Sequence, residues 1–324
     1  MSKLKYHNLG ERILNRYKEK QTILPPEILG HFFQRAYRLT GNDACIPPLA
    51  QYYYDTRIPI VQKGLGLLQD YVEHDINFPL NHNHPTNNKR KIDRYTLYQK
   101  CPEIAFFDEF LINLFYLTST QLCTSLAENT CKRSIALLQQ IDFEKIYYNK
   151  EVMLKDNSFM INSIFFINYL KLNNPHIRTK VVNLVKDYYL NEHYCLQQDL
   201  KMWEYHSFIY SLTHIVIAAS HFYEKDISQY AWIPHYFAEN IDEIIARTKI
   251  DILAEVGLSI KLSKQQERYS VAIRKINDHI INHYNFDRML TPKYLIKKEH
   301  SNSIIMLLFY NNDQWYPGPN LILK

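Results

Sequence analysis

The sequence predicts an all-α protein, and three observations predict it. Glycine occurs only seven times in 324 residues, against about 7% in ordinary chains. Apolar residues recur at the 3.6-residue spacing of helices in segment after segment. No stretch alternates apolar and polar residues for long enough to make a convincing sheet strand. At 46% hydrophobic and 22% charged, the composition is globular rather than disordered.

The first clear helix follows Pro25-Pro26. From Glu27 to Leu39 it puts Ile28, Phe32, Phe33, Ala36 and Tyr37 on one face, with proline in its first turn. Thr40-Gly41-Asn42-Asp43 stops it. Gly41 suits a left-handed C-cap, and Asn42 or Asp43 can cap the next element. The polar stretch from Asn81 to Arg94 reads as a loop inserted within one domain. Four further helices end in similar polar breaks. Phe106 to Leu117 ends in Thr118-Ser119-Thr120, and Met160 to Leu172 in Asn173-Asn174-Pro175. Phe208 to Tyr223 ends in Glu224-Lys225-Asp226, and Ile304 to Tyr310 in Asn311-Asn312-Asp313.

Two steps between these breaks are about 50 residues, near the size of a helix pair in a helical repeat. The other steps are longer and require a break the spacing does not reveal. No polar capping repeat marks either end, and a closed ring needs none. The expected architecture is therefore an α/α toroid, one domain over residues 1–324, with inner helices lining a central cavity. An irregular helical bundle is the alternative.

Several classes are excluded because their motifs are missing. Gly64-Leu65-Gly66 has glutamine, not glycine, at 69, and no strand precedes it. No P-loop, H-E-x-x-H or G-x-S-x-G motif occurs. The formal charge is +5, from 38 basic and 33 acidic residues. The one dense basic run, Lys89-Arg90-Lys91, reads as a solvated loop, so nucleic acid is not the expected partner. Five cysteines, an odd number without a C-x-x-C pair, argue against a disulfide framework or zinc ribbon. They are expected as small buried hydrophobes in a reducing compartment. The longest apolar runs fall far short of the roughly 20 residues of a membrane helix. No apolar stretch follows the N-terminus, so the expected location is cytoplasmic, or exported without an ordinary signal peptide.

Three segments carry candidate chemistry. In Tyr205 to Ile215, the residues His206, Tyr210 and His214 stand one turn apart and share a helix face. Imidazole is matched to proton transfer near neutral pH, and a core histidine bonded to a hydroxyl is the plainer reading. In Asp251-Ile252-Leu253-Ala254-Glu255-Val256-Gly257, Glu255 lies among apolar neighbours. There a carboxylate is either a raised-pKa acid, a metal ligand or half of a buried ion pair. In Glu299-His300-Ser301-Asn302, His300 stands near a helix start, which keeps the ring neutral, unless Ser301 or Asn302 is simply a cap beside an exposed histidine. His82-x-His84, His193 and Cys195 are weaker metal candidates.

At these same residues the sequence resembles the family known as domain of unknown function 3541. Tyr37-Arg38-Leu39-Thr40-Gly41 is similar to its N-terminal helix-turn. Tyr210-Ser211-Leu212-Thr213-His214-Ile215 is similar to its central T-H motif. Trp232 through Ile245, followed by Asp251 to Gly257, resembles its W…N-I-D…D-x-x-A-E-V-G segment. Glu299-His300-x-Asn302, followed by Ile305-Met306-Leu307-Leu308, resembles its final helix. The resemblance implies a grouping and no reaction.

Together these readings give one expected site. His214, Glu255 and His300 are the catalytic candidates, with Tyr210, Thr213, Asp251, Glu299 and Asn302 as binding residues around them. The expected activity is hydrolysis or elimination on a sugar-like or peptide-like substrate, a small molecule or a polymer. Two histidines and a carboxylate also suit zinc or a similar divalent ion; the sequence leaves the cofactor open. The rival is a non-catalytic interaction or structural domain, in which the same residues form a buried polar network.

Overall fold

Two kinds of helix alternate along the chain, and the difference is written in their side chains. In the computed structural model, residues 3–74, 78–79, 89–124, 127–192, 200–312 and 314–322 are described. In chain order the helices are α1 (Lys3–Glu19), α2 (Pro26–Thr40), α3 (Ile46–Tyr52), α4 (Ile58–His74), α5 (Lys89–Lys100) and α6 (Pro102–Ser119). Then follow α7 (Glu128–Leu138), α8 (Phe143–Tyr147), α9 (Lys150–Tyr169), α10 (Ile177–Lys186), α11 (Met202–Ala219) and α12 (Trp232–Glu239). The last are α13 (Ile241–Arg247), α14 (Ile250–Leu262), α15 (Ser270–His283), α16 (Phe286–Met289), α17 (Pro292–Lys297) and α18 (Glu299–Phe309). No strand occurs among the described residues, so the protein is all-α as expected.

Helices α6, α9, α11, α14 and α18 are buried nearly all round, as their mostly apolar circumference requires. Helices α1, α4, α7, α10 and α15 bury one apolar stripe and expose the rest. Four of the buried helices also stop alike. A non-glycine residue in the left-handed region follows each: Gln121 (φ 65°), Lys171 (φ 54°), His221 (φ 54°) and Lys264 (φ 53°). After α9 the Leu172 amide reaches back to the Ile167 carbonyl at 3.0 Å. After α14 the Gln265 amide does the same to Ile260 at 3.1 Å. These six-to-one bonds are Schellman closures, which satisfy carbonyls the helix end leaves open. The end of α14 at Leu262 also supplies a break that the sequence spacing hides.

The chain divides into two compact units. One comprises Met1–Tyr53 and Ala219–Pro319; the other, inserted in sequence, comprises Tyr54–Ala218 and Asn320–Lys324. In the first unit α18 is the central helix, packed by α1, α2, α14 and α17. Every residue from Ser301 to Phe309 is buried. Gly257 permits the α14–α18 approach, since a Cβ there would stand 3.1 Å from Leu308. Gly41 takes φ 61° at the end of α2, the left-handed cap expected of it. In the second unit α6 and α9 pack together, with α4, α5 and α10 against them. Phe106, Phe107, Phe110 and Phe143 build an aromatic core there.

Three expectations are corrected. The inserted loop over 81–94 ends early: residues 81–88 lie outside the described residues, and α5 is helical from Lys89. Its helix buries Leu97 and Tyr98 and pairs Lys89 with Asp93 one turn on, at 2.6 Å. The helix expected to Tyr223 stops at Ala219, because His221, Phe222 and Tyr223 all take positive φ. Finally, Cys123 and Cys131 form a disulfide. A short helical turn at Leu122–Thr124 folds α7 back and sets their Cα atoms 5.5 Å apart, within bonding reach. Cys45 is buried and free, and Cys101 is partly buried and free. Cys195 and His193 lie outside the described residues, as do His82 and His84. No helix among the described residues is long and apolar enough to cross a membrane.

Candidate functional site

The polar stripe read from the sequence is the accessible line of α11. From Tyr205 to Ser220 only His206, Tyr210 and His214 reach the surface, and each is partly buried. Thr213, by contrast, is fully buried and donates its hydroxyl to the Tyr210 carbonyl at 3.1 Å. It supports the helix rather than facing solvent.

Residues of α9 and α5 complete this surface. From Asp156 to Ile167, α9 exposes only Phe159 and Asn162. His214 Nδ1 lies 3.0 Å from Asn162 Oδ1. With the amide oxygen as acceptor, Nδ1 carries the proton, which fixes the tautomer of the ring. The Tyr210 and His214 rings meet edge to face, with centres 5.9 Å apart. The Arg90 guanidinium lies over the Tyr210 ring at 4.8 Å and donates to Ser158 Oγ at 2.9 Å and Asn157 Oδ1 at 3.3 Å. One turn on, the Arg94 guanidinium lies over Phe159 at 4.5 Å. Phe159 is 40% exposed.

A kink in α9 holds these groups in place. Asp156 leaves the helical conformation (φ −134°, ψ 27°). Asn157 bridges the break, accepting from the Ser158 amide at 2.7 Å and donating to the Ser207 carbonyl of α11. Asp156 itself is buried beside a second buried carboxyl, Asp108 of α6. Tyr98 bridges the two, 3.1 Å from Asp156 and 3.3 Å from Asp108. Tyr147 and Ser163 donate to Asp108 at 2.9 and 2.6 Å. Arg94 stands 3.7 Å from Asp156. Burial first, and then the charge of Asp108, push the Asp156 carboxyl well above the usual range. Burial raises Asp108 too, but hydrogen bonds from Asp156, Ser163, Tyr147 and Tyr98 oppose the rise. Burial thus pushes both carboxyls up, Asp156 the further of the two.

In the other unit, α14 and α18 bring the remaining candidates together. Glu255 is fully buried on α14, and its Oε1 lies 3.1 Å from Nε2 of His300 on α18. His300 is 46% exposed, so the pair spans from core to solvent. Glu299 pairs with Arg35 at 2.9 Å, and Arg35 also donates to Ser303 at 2.9 Å. Asn302 accepts from the Tyr284 hydroxyl at 2.7 Å and donates to the Tyr17 hydroxyl at 3.0 Å. Tyr17 in turn donates to the Leu295 carbonyl at 2.6 Å. Burial, and then the charge of Asp251, raise the Tyr284 hydroxyl above its ordinary range. Among the described residues no three histidine, cysteine, aspartate or glutamate side chains gather as a metal site.

Sequence reading missed Arg90, Asn162, Asp108 and Asp156. The signals were present but weak. Asp108 interrupts an aromatic run, Phe106-Phe107-Asp108-Glu109-Phe110, and Asp156-Asn157-Ser158 is a polar triplet in the middle of a helix. Nothing in their spacing says that they meet.

The family model for the Domain of unknown function (DUF3541) matches residues 7–322 of the chain. No curated protein and no solved structure matches it.

Proposed function

The chain belongs to the DUF3541 family, and on that premise we propose that it is a hydrolase or lyase working by general acid–base chemistry on a sugar-like or peptide-like substrate. One observation carries the reading: a half-buried imidazole, tautomer set by Asn162, stands beside a phenol and a guanidinium. Base, acid and cation on one surface are the parts that proton-transfer catalysis needs. His214 is the general base and Tyr210 the acid. Asp108 and Asp156 position the kink from which Asn157 and Ser158 hold Arg90.

A second reading applies to the first unit, and a specific observation favours it. Asn302 and Glu299 are buried and bonded to their neighbours, as expected of a network that fixes helix packing. We assign Glu255 and His300 to the same role, a hydrogen-bonded contact joining α14 to α18.

For the architecture we propose an α/α toroid in one domain. Its support is the alternation of buried and amphipathic helices, with the recurring left-handed ends. For location we propose export to an oxidising compartment, supported by the Cys123–Cys131 disulfide.

The test is an activity panel of glycosidic and peptide substrates, reading new reducing ends or new amines, on wild type and His214→Asn. Turnover that the substitution lowers by about 100-fold or more supports the reading. Turnover that His214→Asn leaves intact, or none on any substrate, contradicts it.

A further inference from the structure

Helix α15 carries two histidines that neither the proposed chemistry nor the packing network uses. His279 and His283 are four residues apart near its C-terminal end, so they share one face. Their rings stack, with centres 4.1 Å apart and planes inclined by 22°. His279 is half-buried and His283 is exposed. The Nδ1–H of His283 donates to the His279 carbonyl at 2.8 Å. A carbonyl can only accept, so the lone pair of the His283 ring lies on Nε2. Among the described residues, Nε2 of His283 and both ring nitrogens of His279 have no hydrogen-bond partner. Burial, and then the charge of His283, hold the His279 imidazole below its ordinary range, which favours the neutral ring. Two charged neighbours on α15 are engaged elsewhere. Lys275 pairs with Asp242 at 2.6 Å, and Asp278 accepts from the Tyr6 hydroxyl at 3.1 Å.

We propose that His279 and His283 hold a divalent transition-type ion such as zinc between them, with water or an outside donor in the remaining positions. Imidazole nitrogen suits zinc, copper and nickel, and it ligates in its neutral form. A ligating histidine commonly gives its other ring N–H to a carbonyl or carboxylate, which orients the ring and raises its basicity. His283 already has that bond. Two imidazoles on one helix face act as a chelate, because the second meets an ion that the first already holds within the same molecule. Structural zinc sites have four protein ligands, and no third ligand of this kind joins the pair among the described residues. The site is therefore an open one. It belongs to the first unit and does not depend on the acid–base role of His214.

The experiment is calorimetric titration of the full chain with zinc chloride. The wild type is expected to bind one zinc ion that the double variant His279→Gln/His283→Gln does not bind. Each single variant should weaken that binding by about 100-fold, since a chelate becomes a single contact. A spacing control, His279→Gln with Asn282→His, keeps the number of histidines but puts two side by side in sequence, on different faces. Its binding should stay as weak as that of the single variants. Zinc should also raise the melting temperature of the wild type and not that of the double variant, because only the folded helix presents both rings to one ion. Melting without zinc, followed by circular dichroism, checks that the variants fold. Zinc binding that the double variant keeps in full would be adventitious binding elsewhere and would overturn the proposal. So would wild-type affinity in the spacing control, or no zinc binding by the wild type.

Discussion

The Asp108–Asp156 pair and the Glu255–His300 pair are both built on buried carboxylates, yet they do opposite things with charge. Around Asp156 the helix breaks, burial pushes two neighbouring carboxyls up, and the cations Arg90 and Arg94 lie over aromatic rings. Around Glu255 the helices run unbroken and the acid meets a half-exposed histidine. Nearby, Asn302 joins two tyrosine hydroxyls in a closed chain. A broken helix and a raised carboxyl are costs that a packing network has no reason to carry. The contrast teaches that chemistry sits where local rules are broken, and packing where they are kept.

The largest expected effect is on Asp108. Asp108→Ala leaves Tyr147 and Ser163 without this acceptor, while Tyr98 keeps Asp156. Removing one member of such a buried network should cost about 3–5 kcal/mol in urea denaturation. A loss below about 1 kcal/mol would erase the distinction between the two pairs. Next is Asn302→Ala, which takes the acceptor from the Tyr284 hydroxyl and a donor from the Tyr17 oxygen. It should cost about 1–3 kcal/mol while leaving kcat unchanged; a collapse of kcat at unchanged stability would move chemistry to the first unit.

The pH dependence sharpens the contrast further. An unfolded aspartate titrates near 4, by the usual value of about 3.9. The folded Asp156 keeps its proton well above that. The unfolded chain therefore loses this proton first. The contribution to stability is greatest below the unfolded value and is lost as pH rises toward the folded one. Asp156→Asn retains a donor for Asp108 and cannot ionise, so it should flatten that loss. Urea midpoints across a pH series check it, and an unchanged slope would mean Asp156 is ionised in the fold.

Smaller effects belong to exposed groups. His300→Ala removes a half-exposed partner and should cost no more than about 1 kcal/mol. Lys171→Gly and Lys264→Gly relieve left-handed strain and should each raise stability by about 1 kcal/mol. A fall in melting temperature for both would contradict the shared helix-end geometry.

Much of the fold was legible in the sequence. The proline start and Gly41 stop of α2 are local chemistry, and the structure keeps both. The stripe of His206, Tyr210 and His214 was legible for the same reason, since spacing alone fixes a helix face. The kink at Asp156 was not, because it depends on Asn157 reaching the Ser207 carbonyl of another helix. Nor was the pairing of Cys123 with Cys131, which depends on how α7 turns back. The left-handed residues after α9, α11 and α14 were hidden because lysine and histidine, not glycine, occupy them.

The most direct test of the central claim is nitrogen NMR of the histidine side chains during titration with a sugar or peptide that the activity panel shows to be turned over. The His214 imidazole signals are expected to shift on binding, with Nδ1 protonated, while those of His300 stay put. A shift at His300 with His214 unmoved would contradict the claim.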